Sequence, residues 1–466
     1  MSKMFTIKAS EAHGRRLDPS FYSPQYREFD EVLANCRYEC KEIQNLRIEV
    51  FQGVSRNLLE NDGIRLLKVK NILPDGSIDF ADTEPISDVP TNKILKNGDI
   101  ISPFIGAAIK GYKFGYFEDR GGERWAFDNN TGVFRNNDER VLSRYLWVFF
   151  QLEITRRQLD RIIGGGGVPY LGTEYAKRLR VILPPLSEQR KIVAELDAAY
   201  VAKRAADEKA TKLLASIDDI VLNELGIAKL PKPDTSLSSR IFTVPAREIY
   251  NGRLDAYYYK GNFKELNKKL FCCNCVPFGR LITEIYNGID CRDYKESGVP
   301  YLKVANVKPG EFDFDDLKYI DSQEVGAKDI ALRAGRMLLT RKGTFGNAIA
   351  LSEDYDYAIS SEVFCLSIKN ELVDVHYLET FVNSSIGRML CDKYKIGAIM
   401  GSLSQEAVKA LPIPLPDAKV QHRIASRASS IRAEARKLKA DATAALDAAK
   451  RKIEIQILNN KGGQCV

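Results

Sequence analysis

Only three histidines, His13, His376 and His422, occur in 466 residues. That leaves little material for imidazole-based metal sites or proton transfer. No apolar run approaches the ~20 residues that a membrane-spanning helix needs. Met1-Ser2-Lys3-Met4-Phe5 lacks the apolar core of a secretory signal. The expectation is a cytoplasmic chain with no membrane partner, its nine cysteines held as reduced thiols and not as a disulfide framework. Catalytic signatures are missing too. There is no G-x-x-x-x-G-K-[ST] phosphate loop, no nucleophile elbow, no H-E-x-x-H and no paired-carboxylate motif. An amino-methyltransferase needs Asn/Asp-Pro-Pro-aromatic at its base pocket, and Leu183-Pro184-Pro185-Leu186 has no polar group before its prolines. Phe104-Ile105-Gly106 faintly resembles a cofactor loop but reads better as strand, loop, strand. These absences point away from catalysis by this chain.

What is present is an ordinary globular composition, 44% hydrophobic and 28% charged, which excludes disordered and collagenous readings. On a prior of one domain per ~150 residues the length suggests roughly three domains. Lys plus Arg number 69 against 62 Asp plus Glu, and this +7 permits a polyanionic partner without demanding one.

The chain is written twice. Arg16-Leu17-Asp18 with Phe21-Tyr22 returns as Arg253-Leu254-Asp255 with Tyr258-Tyr259, and Gly63 to Asn71 (GIRLLKVKN) returns as Gly298 to Asn306 (GVPYLKVAN). Leu95, Gly98 and Gly106 match Leu332, Gly335 and Gly343. Tyr145-Leu146, Leu171, Leu179, Pro184 and Gln189 match Tyr377-Leu378, Leu403, Leu411, Pro416 and Gln421. All recur in order about 235 residues on, far too long a period for a solenoid, so a whole domain is duplicated.

Each copy opens with about 170 residues of short alternating runs and turn pairs such as Asp75-Gly76 and Asn97-Gly98-Asp99. Tyr145 to Leu159 and Tyr377 to Leu390 read as helices, making each head mixed α/β. A proline hinge follows, Leu183-Pro184-Pro185-Leu186 in one copy and Leu411-Pro412-Ile413-Pro414-Leu415-Pro416 in the other. Ser187, before Glu188 and Gln189, is the expected cap of a long helix. Heptad steps from Ile192 give Leu196, Ala199, Lys203, Ala206, Ala210, Leu213, Ile217 and Ile220, apolar except at Lys203. The second copy gives Ile424, Ala428, Ile431, Ala435, Leu438, Ala442, Ala445, Ala449 and Lys452. Gly226 and Asn459-Asn460 are the expected stops. Two helices of about 40 residues are each roughly 60 Å long. Either each covers its own domain, or the two pair; sustained heptads and alanine-rich seams favour antiparallel pairing within the chain. The expected architecture is mixed α/β, two pseudo-symmetric globular domains separated by two long antiparallel coiled-coil helices.

Three local signals carry chemistry. Cys36-x-x-x-Cys40 and Phe271-Cys272-Cys273-Asn274-Cys275 hold closely spaced thiols, but a zinc site needs four ligands and no partner set follows. Small buried residues are the plainer reading, and no metal is expected. The loops after the Gly98 and Gly335 strands diverge: Lys110 and Lys113 lie in the first, Arg341, Lys342, Thr344 and Asn347 in the second. Basic and amide groups beside glycines suit phosphates and base edges, as they equally suit a solvated loop. Asn129 and Asn130 are further amide candidates. Before each hinge, Gly164-Gly165-Gly166-Gly167-Val168-Pro169-Tyr170 is matched by a segment ending in Ser402, so Gly165, Gly166, Tyr170 and Ser402 join the DNA-binding candidates. Four glycines suit either a close approach or a flexible loop.

Leu183 to Val193, opening a heptad helix, with the duplicated Leu-Lys-Val-x-Asn block, the Gly98 and Gly335 strands and the glycine-rich loop before each hinge, closely resembles the specificity subunit of type I restriction-modification systems. The resemblance covers essentially the whole chain. The second hinge departs from it, since Pro416-Asp417-Ala418-Lys419-Val420-Gln421 lacks the Ser-Glu pair, and Gly397-Ala398-Ile399-Met400-Gly401 replaces four glycines.

The resemblance implies target-recognition domains at 1–186 and 241–416, spacer helices at 187–226 and 417–459, a linker at 227–240 and a tail at 460–466. Each recognition domain would read one half of a bipartite, asymmetric double-stranded DNA target. The paired helices would set the spacing and dock two methyltransferase subunits through a seam of Ile192, Leu196, Ala199, Leu213, Ile217, Ile424, Ile431 and Leu438. No cofactor is expected in this chain; S-adenosylmethionine, ATP and Mg would belong to methyltransferase and restriction/translocase partners. Two alternatives stay open: a duplicated protein–protein scaffold, and the recognition module of a single-chain-related methyltransferase.

Overall fold

Proline and glycine punctuation cuts each repeat into strands too short to stand alone, and they pair into three small sheets. The structure is a computed structural model describing residues 19–55, 63–87, 89–119, 121–164, 167–230, 234, 236–249, 253–271, 273–326, 332–397 and 401–458. The Arg16-Leu17-Asp18 block, Cys272, Ala398-Ile399-Met400 and the Asn459-Asn460 stop lie outside these residues. Two compact units emerge, Met1–Ala206 with Ala440–Val466 and Asp207–Lys439. Their boundaries cut through both long helices, not at the helix ends expected from the sequence. Among the described residues no helix is long and apolar enough to cross a membrane.

In unit 1 the strands are β1 (Glu39–Glu42), β2 (Ile48–Gln52), β3 (Ile64–Leu67), β4 (Glu84–Ile86), β5 (Ile100–Pro103), β6 (Gly115–Tyr116), β7 (Arg124–Phe127), β8 (Thr131–Asn136) and β9 (Arg180–Leu183). Sheet orders are β2-β8-β5-β6, β4-β3-β7 and β1-β9. Every pair is antiparallel except β3 with β7. Unit 2 holds β10 (Cys275–Pro277), β11 (Ile282–Asn287), β12 (Val299–Leu302), β13 (Val307–Lys308), β14 (Glu311–Phe312), β15 (Lys318–Ile320), β16 (Arg336–Thr340), β17 (Ala348–Ala350), β18 (Ala358–Ile359), β19 (Val363–Ile368) and β20 (Pro412–Pro414). Its sheets β11-β19-β16-β17, β15-β12-β18 and β10-β20 repeat the same plan, and its β13-β14 hairpin answers to the Ile72–Ile78 bridge of unit 1. The duplication read from the sequence is thus a duplication of topology.

The four-stranded sheet is the middle layer of each unit, buried on both faces. Alternate residues therefore enter different cores. Ile100 and Phe134 join the cluster containing the Ser143–Phe150 and Glu153–Ile162 helices, while Ile101 and Val133 join Leu67, Trp125 and Phe127. In unit 2, Met337, Leu339, Phe364 and Leu366 face the helices and Leu338, Val363 and Cys365 face the smaller sheet. The helices expected over Tyr145–Leu159 and Tyr377–Leu390 are each broken in two. In unit 2 the break is at Ser384, whose hydroxyl accepts from the Gly387 N–H and caps the Ser385–Tyr394 helix. In unit 1 the Thr155 hydroxyl donates to the Phe149 carbonyl across the break. Polar side chains that compete for backbone groups end helices in this way.

The first long helix spans Leu186–Glu224 and the second Ala418–Leu458. Ser187 is not the cap of the first: the Pro185 carbonyl already accepts from the Glu188 and Gln189 N–H groups, placing Ser187 inside the opening turn. The second is capped by Asp417, whose carboxylate accepts from the Val420 N–H. Gly226 takes φ +66° past the end of the first helix, and the Ile227 N–H reaches back to the Leu222 carbonyl in a Schellman closure.

Within unit 1 the helices run antiparallel. Lys452 bonds Glu195 at 2.6 Å and Lys450 lies over the Tyr200 ring, so numbers fall on one helix as they rise on the other. Within unit 2, Ile217, Val221 and Leu222 share a core with Ile424, Ala425 and Ala428, and Glu224 pairs with Arg423 and Arg427. Of the seam residues, Ile192, Leu196, Ile217 and Ile424 are buried, and Ala199, Leu213, Ile431 and Leu438 are half-buried. The strict heptad fails in the last turns. Ala445 and Lys452 are exposed while Leu446, Ile453 and Ile457 are buried. A helix of 3.6 residues per turn drifts off a 3.5 repeat, and one extra residue restores the stripe.

One buried amide fixes each helix to its head. Gln189 accepts from the Leu142 N–H at 2.9 Å and donates to the Arg140 and Pro184 carbonyls. Gln421 accepts from the Asp374 N–H at 2.9 Å and donates to the Pro416 carbonyl. Tyr145 and Tyr377 donate to the Ile182 and Pro414 carbonyls beside them. A further matched pair has diverged. Arg161 stacks on Phe21 and bonds Asp30 at 2.8 Å, while in unit 2 Lys393 lies over Tyr258 and bonds Asn267 at 2.8 Å. Without a facing carboxylate, burial pulls the Lys393 ammonium down to about 8.

Replacing Gln189 with Ala strands an N–H and two carbonyls and should cost about 3 kcal/mol of stability, and Gln421→Ala about 2 kcal/mol. Urea denaturation measures both, with exposed Lys191→Ala expected to move stability by under about 0.5 kcal/mol. At Lys393 the unfolded chain holds more protons than the folded one between pH about 8 and 10.5, so stability rises with pH across that window. Asn267→Asp should stabilise unit 2 by about 1 kcal/mol at neutral pH and flatten that rise, because the new carboxylate keeps the ammonium charged.

Candidate nucleic-acid interface

At one edge of each middle sheet the backbone makes the same clasp. In unit 1 the turn between β7 and β8 carries Asn129 and Asn130, both exposed. The Phe104 and Ile105 N–H groups donate to the Asn130 carbonyl at 2.8 and 3.2 Å. Gly164 and Tyr170 exchange two backbone hydrogen bonds, Tyr170 bridges Ile105, and the Leu171 N–H reaches the Phe104 carbonyl. Unit 2 repeats the links made by Phe104, Gly164, Tyr170 and Leu171. The Arg341 N–H donates to the Glu362 carbonyl, Ile396 and Ser402 exchange two bonds, Ser402 bridges Lys342, and the Leu403 N–H reaches the Arg341 carbonyl. Glycine is required beside the turn in both units. A Cβ at Gly53 would lie 2.2 Å from the Asp128 carbonyl oxygen, and one at Gly288 1.9 Å from that of Ile359.

The sequence-derived candidates distribute unevenly over this frame. Asn129, Asn130, Tyr170, Lys342 and Ser402 stand on the clasp. Lys110 is exposed on the Ala107–Gly111 turn beside it, facing a cavity of about 300 Å³ shared with Tyr112, Asp160, Gly164 and Pro169. Lys113 is half-buried and Thr344 exposed. Gly165 and Gly166 lie outside the described residues. Asn347 needs correcting: only 4% exposed, it donates through Nδ2 to the Val307 carbonyl at 2.7 Å and holds the β13-β14 hairpin instead of facing solvent. Arg341 is turned inward, donating to the Ser361 carbonyl and lying over the Phe364 ring.

Four residues at the clasp were not among the sequence-derived candidates. Ile105 and Glu362 sit directly on it, and Gln52 and Asn287 bond the turn carbonyls of Asn129 and Ser361. The repeat alignment that matched Gly106 to Gly343 and Leu171 to Leu403 was the available signal, since extending it aligns Ile105 with Lys342 and Asn130 with Glu362. In unit 1 the carboxylate of the turn, Asp128, is buried and accepts from the Asn130 amide at 3.5 Å. In unit 2 Lys342 and Glu362 approach to 3.8 Å, each about half exposed.

The thiols have other work. Cys36 donates to the Leu33 and Tyr38 carbonyls, and burial pushes the Cys275 thiol up to about 11. Among the described residues no group of three or more His, Cys, Asp or Glu side chains could hold a metal ion.

Comparison with known proteins agrees with this duplicated plan. The chain is similar to the type I restriction enzyme EcoKI specificity subunit of Escherichia coli K12, 22% identical over 393 residues, which span 80% of this chain and 76% of that protein. It is also similar to the MjaVIII specificity subunit of Methanocaldococcus jannaschii, 21% identical over 304 residues, spanning 61% and 63%. Among solved structures it aligns with the HsdS subunit of Thermoanaerobacter tengcongensis at 13% identity and a TM-score of 0.33, covering 91% of this chain and 97% of that one. The S subunit of M. genitalium aligns at 13% identity and a TM-score of 0.38, covering 90% and 96%. The model of the type I restriction modification DNA specificity domain matches residues 67–209 and 288–446, once in each repeat. The chain belongs to that family of DNA specificity domains.

Proposed function

We propose that this chain is the DNA sequence-specificity subunit of a type I restriction-modification complex, with each unit reading one half of an asymmetric bipartite target. One observation carries the asymmetry. The clasp backbone is closely matched in the two units, while the side chains on it differ: Ile105, Asn130 and Tyr170 of unit 1 stand where Lys342, Glu362 and Ser402 stand in unit 2. Backbone geometry positions a reading edge and side chains specify the bases. A common frame with different side chains therefore reads two different half-sites.

In this reading the long helices set the unread gap and offer their outer faces to two methyltransferase subunits. Base modification, S-adenosylmethionine, ATP and Mg all belong to those subunits and to restriction partners. Lys110 and Lys113 supply phosphate contacts, which release counterions and make binding steeply salt-dependent.

The experiment is co-purification with the candidate methyltransferase, followed by mapping of methylated sites in genomic DNA. A single bipartite asymmetric motif is the expected result; no complex and no methylation would defeat the assignment. Two variants sharpen it. Lys110→Ala should weaken binding about equally across sequences and reduce the salt slope by about one. Asn347→Ala should leave that slope unchanged while lowering stability by about 1–3 kcal/mol, the cost of stranding a buried carbonyl.

A further inference from the structure

The two clasps differ in a way that matches the chemistry of the two kinds of base pair. Ile105 and Asn130 adjoin in unit 1, because the Ile105 N–H donates to the Asn130 carbonyl at 3.2 Å. Their counterparts in unit 2, Lys342 and Glu362, bring ammonium and carboxylate within 3.8 Å, both half exposed. In the major groove a G·C pair presents two acceptors, guanine N7 and O6, followed by the cytosine N4 donor. An ammonium beside a carboxylate presents donor then acceptor and complements that order. An A·T pair presents the adenine N7 acceptor, the N6 donor, the thymine O4 acceptor and a methyl group. An asparagine amide offers a donor and an acceptor to N7 and N6, and a neighbouring isoleucine offers apolar contact to the methyl.

Rejection follows from the same groups. Set against A·T, Glu362 would face thymine O4, leaving its carboxylate desolvated beside another acceptor. Set against G·C, the Asn130 amide oxygen would face guanine O6, again acceptor to acceptor, and Ile105 would have no methyl to meet.

We infer that unit 1 reads an A·T pair through Asn130 and Ile105, and that unit 2 reads a G·C pair through Lys342 and Glu362. This rests on the DNA-reading assignment above and adds which base pair each unit selects. Neighbouring groups fit the division. Asp128 is buried and holds one N–H of the Asn130 amide at 3.5 Å, leaving the other N–H and the amide oxygen for a base edge; Tyr170, 44% exposed, adds a neutral surface beside it, while the matched position in unit 2 carries the small Ser402.

The test maps methylated sites for the full complex carrying the wild-type chain, the double variant Lys342→Ile with Glu362→Asn, and the reciprocal Ile105→Lys with Asn130→Glu. The first double variant should convert one G·C pair to A·T in one half-site and leave the other half unchanged, which also controls for folding. The reciprocal should convert one A·T pair to G·C in the other half. As a smaller change, Lys342→Ile alone should cut discrimination at that G·C pair about ten- to a hundredfold, read as relative affinity on a panel of duplexes. Unchanged preference at every pair, a change in the wrong half-site, or loss of all methylation by a normally folded variant overturns the inference. A wild-type complex that yields no bipartite motif defeats the DNA-reading assignment itself, an outcome distinct from any of these.

Discussion

Each long helix leaves its head through a single buried amide, and the rest of the architecture depends on that joint. Proline hinges cannot supply N–H donors, so the carbonyls of Pro184 and Pro416 have no ladder partner at the point where strand turns into helix. Gln189 and Gln421 give each a donor while accepting the N–H of Leu142 or Asp374, the residue before the Ser143–Phe150 or Val375–Asn383 helix. A carboxamide of this length accepts and donates at once without a charge; glutamate would bring a charge and methionine would leave both groups bare. Strand, helix and loop are thereby locked at one angle, and the direction in which the long helix departs is set by three or fewer hydrogen bonds.

Around that joint the two units have kept their backbone hydrogen bonds and exchanged their side chains. The Lys-x-x-Asn turn survives in both, with Asn71 and Asn306 buried and bonded in the same way. Elsewhere a contact is retained with different chemistry. Trp147 packs on Tyr200 at 5.4 Å in unit 1, while in unit 2 Glu379 and Arg432 occupy the matched positions as a buried ion pair at 2.5 Å. Arg161 with Asp30 becomes Lys393 with Asn267. Backbone bonds are indifferent to the side chain they carry, so a duplicated frame tolerates such exchanges provided each new pair is satisfied within itself. Under the proposed reading, exchange at the clasp alters what is recognised and not merely how the fold holds together.

Much of the fold was legible because its signals are local or repeated. The duplication, the proline hinges, the apolar seam from Ile192 to Ile217 and the stop at Gly226 all follow from spacing and residue type. The surface was less legible. Asn347 and Asn130 look alike as amides near glycines, yet one holds a hairpin and the other stands in solvent. Glu362 carries no sequence signal beyond its alignment with Asn130.

Sequence by itself determined that there are two copies of one α/β plan joined to two long helices, since apolar period and chain punctuation are read one residue after another. Tertiary structure alone decided which polar groups are consumed inside. It turned Asn347 and Arg341 inward, moved the helix contact from Ala445 to Leu446, and brought Ile105 to Asn130 and Lys342 to Glu362. Those outcomes depend on long-range pairing and on the small mismatch between 3.5 and 3.6 residues per turn, neither of which any short stretch of sequence contains.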